Sequence, residues 1–181
     1  FFDDSPELYQ NFKKKLSNLK NKSIVVAVSG GPDSLALASL CRFYSLEKKL
    51  KFHYVLVDHS IRKNSSKEAT KVKKLLKTHK INLTILVNKK KIKNNIQGTA
   101  RKIRYDMLSS FCIKKKVKLI LTGHNLEDQV ETFLIRLSRG SGLVGLSAMK
   151  PLLKLKKDIR LYRPLLDTKK NDLIKISKNI C

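Results

Sequence analysis

The sequence is poor in cysteine, in long apolar runs and in acidic residues, and each scarcity removes a class of protein. Its three cysteines, Cys41, Cys112 and Cys181, are widely separated and form no Cys-x-x-Cys pair. Three cysteines that are far apart in sequence, an odd number, indicate neither a zinc site nor a disulfide framework. We therefore expect a protein of a reducing compartment.

Long apolar runs are also missing. No stretch approaches the roughly 18 consecutive apolar residues that suggest a transmembrane helix. The first residues, Phe-Phe-Asp-Asp, lack the basic and then apolar pattern of a secretory signal peptide. We therefore predict no membrane span, no secretory signal and no membrane partner.

Acidic residues number only 14 against 40 lysines and arginines, which gives a formal net charge of +26. This charge exceeds what solubility requires and favours a polyanionic partner such as nucleic acid. Genomic drift toward lysine is the competing explanation, because 32 of the 40 are lysines. The scarce arginines are more informative, since a guanidinium fork holds phosphate in a fixed geometry. Five of them lie near candidate motifs: Arg101, Arg104, Arg136, Arg139 and Arg163.

Apolar strands and amphipathic helices alternate along the chain. The hydrophobic pattern predicts strands at Ile24–Val28, Phe52–Val57, Leu83–Val87 and Lys118–Leu121. It predicts helices at Glu7–Leu19, Asp33–Ser45, Ser66–Thr78, Gly98–Lys115 and Leu126–Leu137. This order is typical of an α/β fold, a doubly wound parallel sheet with helices on both faces. We assign residues 1–22 to an N-terminal helical extension and residues 23–181 to one domain, whose ligands would bind beyond the carboxyl ends of the strands.

The most informative segment is the glycine-rich turn that ends the first strand, Ser29-Gly30-Gly31-Pro32-Asp33-Ser34. Its glycines let backbone N–H groups approach a phosphate at the positive end of the following helix. An ordinary strand-turn-helix capped by Ser29 or Asp33 is the plainer alternative. The turn lacks the Gly-Lys-Ser or Gly-Lys-Thr of the Walker pattern and the Gly-x-Gly-x-x-Gly of the dinucleotide fingerprint. Kinase and dehydrogenase activities are therefore disfavoured.

Polar residues also follow the second strand, which ends in Asp58 and His59. A loop residue that a scaffold directs into a cleft often carries function, so these two could contact adenine or ribose. A turn cap and a surface histidine are the alternative.

Three carboxylates, Glu127, Asp128 and Glu131, begin the helix after the fourth strand. Asp128 and Glu131 are three residues apart, so their side chains share a helix face. The helix dipole explains Glu127 and Asp128 in part. In so basic a chain, the cluster also suits Mg²⁺ on a triphosphate or the binding of an ammonium group.

The Ser-Gly-Gly-x-Asp-Ser turn resembles the pyrophosphate loop of the ATP pyrophosphatases, which cleave ATP between its α and β phosphates. Five further motifs make the chain similar, over residues 20–178, to the N-terminal catalytic domain of tRNA(Ile)-lysidine synthetases; they are Val57–His59, Gly98–Tyr105, Gly123–Thr132, Arg136–Gly142 with Gly145-Leu146, and Arg163–Leu166. Glu127 departs from the family, which more often has aspartate there. Family members usually continue past the last motif, so Cys181 resembles a truncation point.

The resemblance implies a PP-loop domain of the adenine nucleotide α hydrolase-like fold. It also implies that ATP adenylates the C2 oxygen of the wobble cytidine in a CAU-anticodon tRNA(Ile), with release of pyrophosphate. L-lysine then displaces AMP to form lysidine. The expected cofactors are ATP and Mg²⁺ and the expected partners tRNA(Ile) and L-lysine, in the cytoplasm or in an organelle. A homodimer is one assembly that we consider.

The same resemblance assigns roles to residues of this chain. ATP or its pyrophosphate would lie against Ser29, Gly30, Gly31, Pro32, Asp33, Ser34, Asp58, His59 and Gly123. The candidate catalytic residues are Asp33, Arg104, His124, Asp128 and Glu131, and the candidate Mg²⁺ ligands are Asp33, Glu127 and Asp128. The five arginines Arg101, Arg104, Arg136, Arg139 and Arg163 would contact tRNA or substrate, although Arg101 and Arg104 also suit an ordinary exposed helix face. The glycine-rich segment 139–145 would form a lid or only a flexible connection.

Two other functions remain open on the sequence alone. A tRNA thiolase of the same superfamily is the nearest enzyme, but such enzymes typically need paired cysteines for sulfur transfer. A nucleic-acid-binding module without catalysis is the alternative from another class. A measurement of pyrophosphate release from ATP would distinguish the two enzymes, synthetase and thiolase, from the nucleic-acid-binding module.

Overall fold

The computed structural model describes residues 6–19, 21–48, 50–90, 95–140, 142, 147 and 149–178. Its strands are β1 (Ser23–Val28), β2 (Lys51–Asp58), β3 (Leu83–Val87), β4 (Leu119–Leu121), β5 (Leu152–Lys154) and β6 (Arg160–Tyr162). Its helices are α1 (Pro6–Ser17), α2 (Pro32–Glu47), α3 (Ser65–Thr78), α4 (Ile96–Lys115), α5 (Leu126–Ser138) and α6 (Lys170–Lys178).

All six described strands form one sheet in the order β3-β2-β1-β4-β6-β5. Every neighbouring pair is parallel except β5 and β6, which are antiparallel. The chain runs outward from β1 to β3 and then returns to place β4 on the other side of β1. The strand order therefore reverses between β1 and β4, the place where α/β sheets bind ligands.

Helices cover both faces of this sheet, which confirms the predicted fold class. Because side chains alternate along a strand, Val26 of β1 faces one core and Val25 the other. The larger core contains buried side chains of α1, α2, α3 and α6, and the smaller one those of α4. Phe12 and Leu16 of α1 are each 1% exposed within the larger core, so the N-terminal helix packs with the sheet domain.

Three elements, β5, β6 and α6, were not predicted from the sequence. β5 and β6 have only three residues each, too few to show a period. α6 is nine residues long, and it buries Leu173 and Ile176 in the larger core. Most of the glycine-rich segment 139–145 lies outside the described residues, so the predicted lid stays a prediction.

α5 is the least buried helix of the described chain, because none of its residues is buried. Its apolar side chains Val130, Leu134 and Leu137 are 51%, 55% and 51% exposed. α5 therefore extends from the carboxyl edge of the sheet instead of packing on a face. Among the described helices, none combines the length and the apolar character needed to cross a membrane.

Candidate active site at the switch point

A cleft of about 760 Å³ opens at the carboxyl ends of the central strands. Residues from the ends of β1, β2 and β4 and from α4 line it. Ten of the sequence-predicted site residues are among them: Ser29, Gly31, Asp33, Ser34, Asp58, His59, Arg104, Gly123, His124 and Asp128. Four segments far apart in sequence thus meet at one place.

The glycine-rich turn is shaped by the hydroxyl of Ser34. Ser34 Oγ accepts hydrogen bonds from the N–H groups of Ser29 (3.1 Å) and Gly30 (3.2 Å), and it donates to the carbonyl of Gly31 (2.9 Å). Gly30 has a φ of +91°, which only glycine adopts easily. The Gly30 amide, which we expected to hold pyrophosphate, is therefore used within the turn.

The N-terminus of α2 supplies the remaining amides. Gly31 is its N-cap, which disfavours the plainer alternative of a cap by Ser29 or Asp33. Pro32 follows at the start of the helix and has no N–H. The first N–H groups of a helix lack partners within it, so those of Asp33 and Ser34 are positioned for a phosphate oxygen.

Gly123 permits β4 to approach this helix start. A Cβ at position 123 would lie 2.8 Å from the backbone oxygen of Asp33 and 3.0 Å from its carbonyl carbon. These atoms are helix backbone and cannot move away cheaply. The absence of a side chain at Gly123 thus lets the His124 segment approach the glycine-rich turn.

Gly123→Ala is expected to lower the free energy of unfolding by about 1–3 kcal/mol, the usual cost of overpacking. Urea denaturation measures it, with Gly142→Ala as the matched control. A Cβ at Gly142 would meet no atom within 4 Å, so the control should unfold like the parent protein. Equal stability of both variants would contradict the close approach at Gly123.

Asp33 carries a cleft carboxylate whose charged form is disfavoured by its surroundings. Its Oδ1 is buried and has no hydrogen-bond partner within the described part of the chain. Burial raises the pKa of Asp33, nearby Lys170 lowers it, and the charge of Asp128 raises it again. A bound cation would therefore stabilise the charged form of this carboxylate.

The other three carboxylates are placed differently. Asp128 lines the cleft and forms a capping box with Asn125: its Oδ2 accepts from Asn125 N (3.0 Å), and its own N–H donates to Asn125 Oδ1 (2.9 Å). Glu127 instead accepts from the N–H of Lys170 (2.9 Å) and so caps α6. Glu131 is exposed on α5 and does not line the cleft. The structure brings together Asp33 and Asp128, but not all four.

The residues present fit a Mg²⁺ ion held jointly with a nucleotide. The described residues contain no group of three or more histidine, cysteine, aspartate or glutamate side chains that would form an all-protein metal site. Mg²⁺ usually takes only one or two carboxylates and completes its shell with phosphates and water. The partnerless Oδ1 of Asp33 and the carboxylate of Asp128 meet that requirement. The predicted ligand Glu127 is already used at α6.

His124 is held neutral. Burial is the main reason that its pKa falls to about 4, and the charge of Arg163 adds to the effect. Its Nδ1 lies 2.9 Å from Oγ1 of Thr122, which is 7% exposed. The ring can therefore offer a hydrogen bond to a ligand without adding a positive charge.

The end of β2 shows parts of both alternatives considered for Asp58 and His59. Asp58 is 4% exposed, and its carboxylate accepts from Ser60 N–H (2.8 Å) and Ser66 Oγ (2.8 Å), as a turn cap does. Burial raises its pKa, but the hydrogen bonds outweigh burial and lower it. Both ring nitrogens of His59 are buried and have no partner in the described chain, so His59 is not a surface histidine. His59 is thus the better candidate for a nucleotide contact.

Three supporting residues were missed in the sequence. Asn88, directly after β3, donates from Nδ2 to the carbonyls of His59 (3.3 Å) and Lys90 (2.7 Å). Thr122 holds His124, and Asn125 forms the capping box with Asp128. Asn125 had a sequence signal, because an N-cap residue followed three positions later by an acidic residue resembles a capping box.

The five candidate arginines have different surroundings. Arg104 lines the cleft, and Arg101 lies over the ring of Tyr105, 5.3 Å from its centroid. Arg136 donates to the carbonyl of Ser147, and Arg139 is the exposed C-cap of α5. Arg163, in contrast, is 4% exposed, and its Nη1 donates to the carbonyl of Lys150 (2.6 Å). Burial makes Arg163 better suited to hold the site from within than to contact a tRNA backbone.

The cysteines lie away from the cleft. Cys41 and Cys112 are both 0% exposed, one in each hydrophobic core, and Cys181 lies outside the described residues. Burial raises the pKa of both thiols, which keeps them protonated and unreactive. Neither thiol is placed to carry sulfur to a substrate in the cleft.

Comparisons with known proteins place this chain in a protein family. Residues 5–180 match the profile of a family described as PP-loop domain. The chain is 40% identical over 176 residues to a tRNA(Ile)-lysidine synthase of Wolbachia pipientis, covering 94% of this chain and 40% of that protein. It is 39% identical over 176 residues to one of Bradyrhizobium diazoefficiens, covering 95% and 48%. The chain thus spans less than half the length of these relatives.

A solved structure is similar in fold. It is a U34-tRNA thiolase from Methanococcus maripaludis with its [4Fe-4S] cluster, which superposes with a TM-score of 0.79 at 21% identity. The match covers 95% of this chain and 61% of the thiolase chain. At this identity, the likeness supports the fold alone.

Proposed function

Because the chain belongs to the PP-loop domain family, we propose that it is the catalytic part of a tRNA(Ile)-lysidine synthetase. In this proposal it uses ATP to join L-lysine to C2 of the wobble cytidine in a CAU-anticodon tRNA(Ile). The relatives of that name, at 39–40% identity, support this substrate. The observation that carries the proposal is the meeting of Asp33, His124 and Asp128 at the N-terminus of α2, in one cleft.

The first step is adenylation. The phosphates of ATP would lie at the N-terminus of α2, against the N–H groups of Asp33 and Ser34. Mg²⁺, bound by Asp33 and Asp128, would supply charge neutralisation for the triphosphate. The C2 oxygen of the cytidine then bonds to the α-phosphorus while the bond to pyrophosphate breaks. Arg104, in the same cleft, would stabilise the negative charge that develops on the phosphate.

The second step is displacement by lysine. The ε-amino group of L-lysine bonds to C2, the bond from C2 to the oxygen of AMP breaks, and the nitrogen loses a proton. A carboxylate is needed to bind the ammonium groups of lysine, and Asp128 and Glu131 are the candidates. Glu131 lies about one helical turn beyond Asp128 on α5, exposed and outside the cleft lining, so Asp128 is the better placed of the two.

The wider surroundings suit a tRNA. A net charge of +26 would attract the phosphate backbone, so we expect tRNA affinity to fall steeply with salt. Arg101, Arg104, Arg136 and Arg139 are our candidates for contacts to it. The proposal includes a cytoplasmic or organellar location. It also includes a homodimer, which analytical sedimentation of the protein would detect.

Incorporation of radiolabelled L-lysine into unmodified tRNA(Ile) tests the proposal. The assay uses the full-length protein, ATP and Mg²⁺, with Asp128→Asn and the exposed Asp158→Asn as matched variants. We expect incorporation by the parent protein and by Asp158→Asn, and its loss in Asp128→Asn. Asparagine at 128 still accepts from Asn125 N–H, so the capping box is retained.

A failure would be informative in two ways. Pyrophosphate release without incorporation of lysine would keep the PP-loop chemistry but replace the nucleophile, with sulfur as the next candidate. If the folded protein released no pyrophosphate in the presence of tRNA, the remaining candidate would be a nucleic-acid-binding module that has no catalytic activity.

A further inference from the structure

Asn125 lies near Asp33 and Asp128, the two candidate Mg²⁺ ligands of the cleft, and its side chain makes an ordinary hydrogen bond to only one of these residues. It is 1% exposed, and its Oδ1 accepts from the N–H of Asp128 at the start of α5. Its Nδ2 is also buried but has no hydrogen-bond partner within the described residues. A buried amide donor without an acceptor is costly, so its retention calls for a reason.

Asp33 presents the complementary atom. Its Oδ1 is the buried carboxylate oxygen of the cleft that lacks a donor in the described chain. A hydrogen bond from the Asn125 side chain lowers the pKa of this carboxyl, but the contact is loose, since neither Asp33 Oδ1 nor Asn125 Nδ2 has a partner of ordinary hydrogen-bond geometry in the described chain. Hydrogen bonds at catalytic groups are often loose before the substrate binds and then tighten. The missing side chain at Gly123 is what allows these two loops to approach.

We propose that Asn125 is a positioning residue that holds the Asp33 carboxylate toward the metal and phosphates by donating from Nδ2 to Oδ1. Asn125 then links the two residues: its backbone N–H holds the Asp128 carboxylate, its Oδ1 accepts from the Asp128 backbone N–H, and its Nδ2 holds the Asp33 carboxylate. This inference rests on the proposed function for the role of Asp33. Outer groups that orient a metal ligand typically change metal affinity or activity by about 10–100-fold when they are replaced.

Two substitutions separate positioning from helix capping. Asn125→Ser and Asn125→Asp both keep an oxygen that accepts from Asp128 N–H, since serine, aspartate and asparagine are similar N-caps. Neither keeps the amide donor. We expect Asn125→Ser to bind Mg²⁺–ATP about 10-fold more weakly in isothermal titration calorimetry, with little change in melting temperature. Asn125→Asp should bind more weakly still, because it places a second negative charge beside Asp33.

A measurement without nucleotide tests the contact itself. Asp33→Asn, Asn125→Ser and the double variant form a thermodynamic cycle on the free energy of unfolding. Interacting side chains give non-additive effects, which we expect here. The exchanged pair, Asp33→Asn with Asn125→Asp, again places a donor opposite an acceptor, so it should be more stable than Asn125→Asp alone.

The outcomes distinguish this inference from the proposed function. Additive effects in the cycle, or unchanged Mg²⁺–ATP affinity in both Asn125 variants, would show that Asn125 only caps α5. Failure of the parent protein to bind Mg²⁺–ATP would overturn the proposed function, while the cycle still decides whether Asn125 holds Asp33.

Discussion

Replacement of Asp33 by asparagine is expected to slow the adenylation step by about 10²–10³-fold, the range seen when one preorganised electrostatic group is removed. Asparagine has the same shape but no charge, so it cannot neutralise Mg²⁺ on the phosphates. The N–H groups at the start of α2 remain, and ATP should therefore bind more weakly without being excluded.

The same substitution should leave the fold equally stable or more stable. Burial is the largest effect and raises the pKa of Asp33; Lys170 lowers it, Asp128 raises it, and the net shift is upward, so the charged form is disfavoured in the folded protein. Removal of the charge relieves the burial and the repulsion from Asp128, and these outweigh the lost attraction to Lys170. Loss of activity together with retained or increased stability is the usual sign of a functional residue that the fold tolerates at a cost.

Rapid-quench measurement of pyrophosphate release and urea unfolding together test this expectation. Asp158→Asn is the matched control, because Asp158 is exposed and pairs only with the equally exposed Lys154 in the described chain. It should change neither quantity. A large loss of stability in Asp33→Asn with normal turnover of the folded fraction would instead make Asp33 a structural residue.

The fold class could be predicted because its information is local. The buried β-branched run of β1 and the Ser-Gly-Gly-x-Asp-Ser turn are each continuous in sequence, and together they are enough to predict where a phosphate site would lie. β5 and β6 could not be predicted, since a three-residue strand is formed by its neighbours in the sheet and not by its own pattern.

The members of the candidate site could be predicted from the sequence, but the separate role of each residue could not. Glu127 and Asp128 are adjacent in sequence and both acidic, yet Glu127 caps α6 and Asp128 lines the cleft. That difference depends on Lys170, which lies 43 residues away. The burial of Arg163 depends likewise on the loop that ends at Lys150. Contacts over such separations leave no periodic pattern in the sequence.

Acid destabilisation through His124 is the second large effect that we expect. Its pKa is about 4 in the folded protein, against about 6.5 in an unfolded chain. Above pH 6.5 neither state binds the proton, so the histidine adds no pH dependence. Between pH 6.5 and 4 the unfolded state binds it and the folded state does not, so stability falls as the pH falls. The total loss is on the order of 3 kcal/mol.

The groups that face His124 fix this sign. Burial is the largest cause of the lowered pKa, followed by Arg163, and Arg101 and Arg104 act in the same direction. Asp128 opposes them, but it is one carboxylate against three guanidinium groups. A protonated His124 would therefore place a positive charge in a largely buried position near three guanidinium groups.

His124→Asn should remove this part of the pH dependence. Asparagine can still make a hydrogen bond with Thr122, and it does not titrate. Burial also lowers the pKa values of His53 and His59, so the parent protein and the variant are compared by their difference in unfolding free energy at pH 7 and at pH 4.5. His79→Asn, at the C-cap of α3 and away from the cleft, is the control. If the parent and His124→Asn lost stability in parallel over this range, His124 would have to be open to water, and a neutral imidazole could no longer be assigned to the active site.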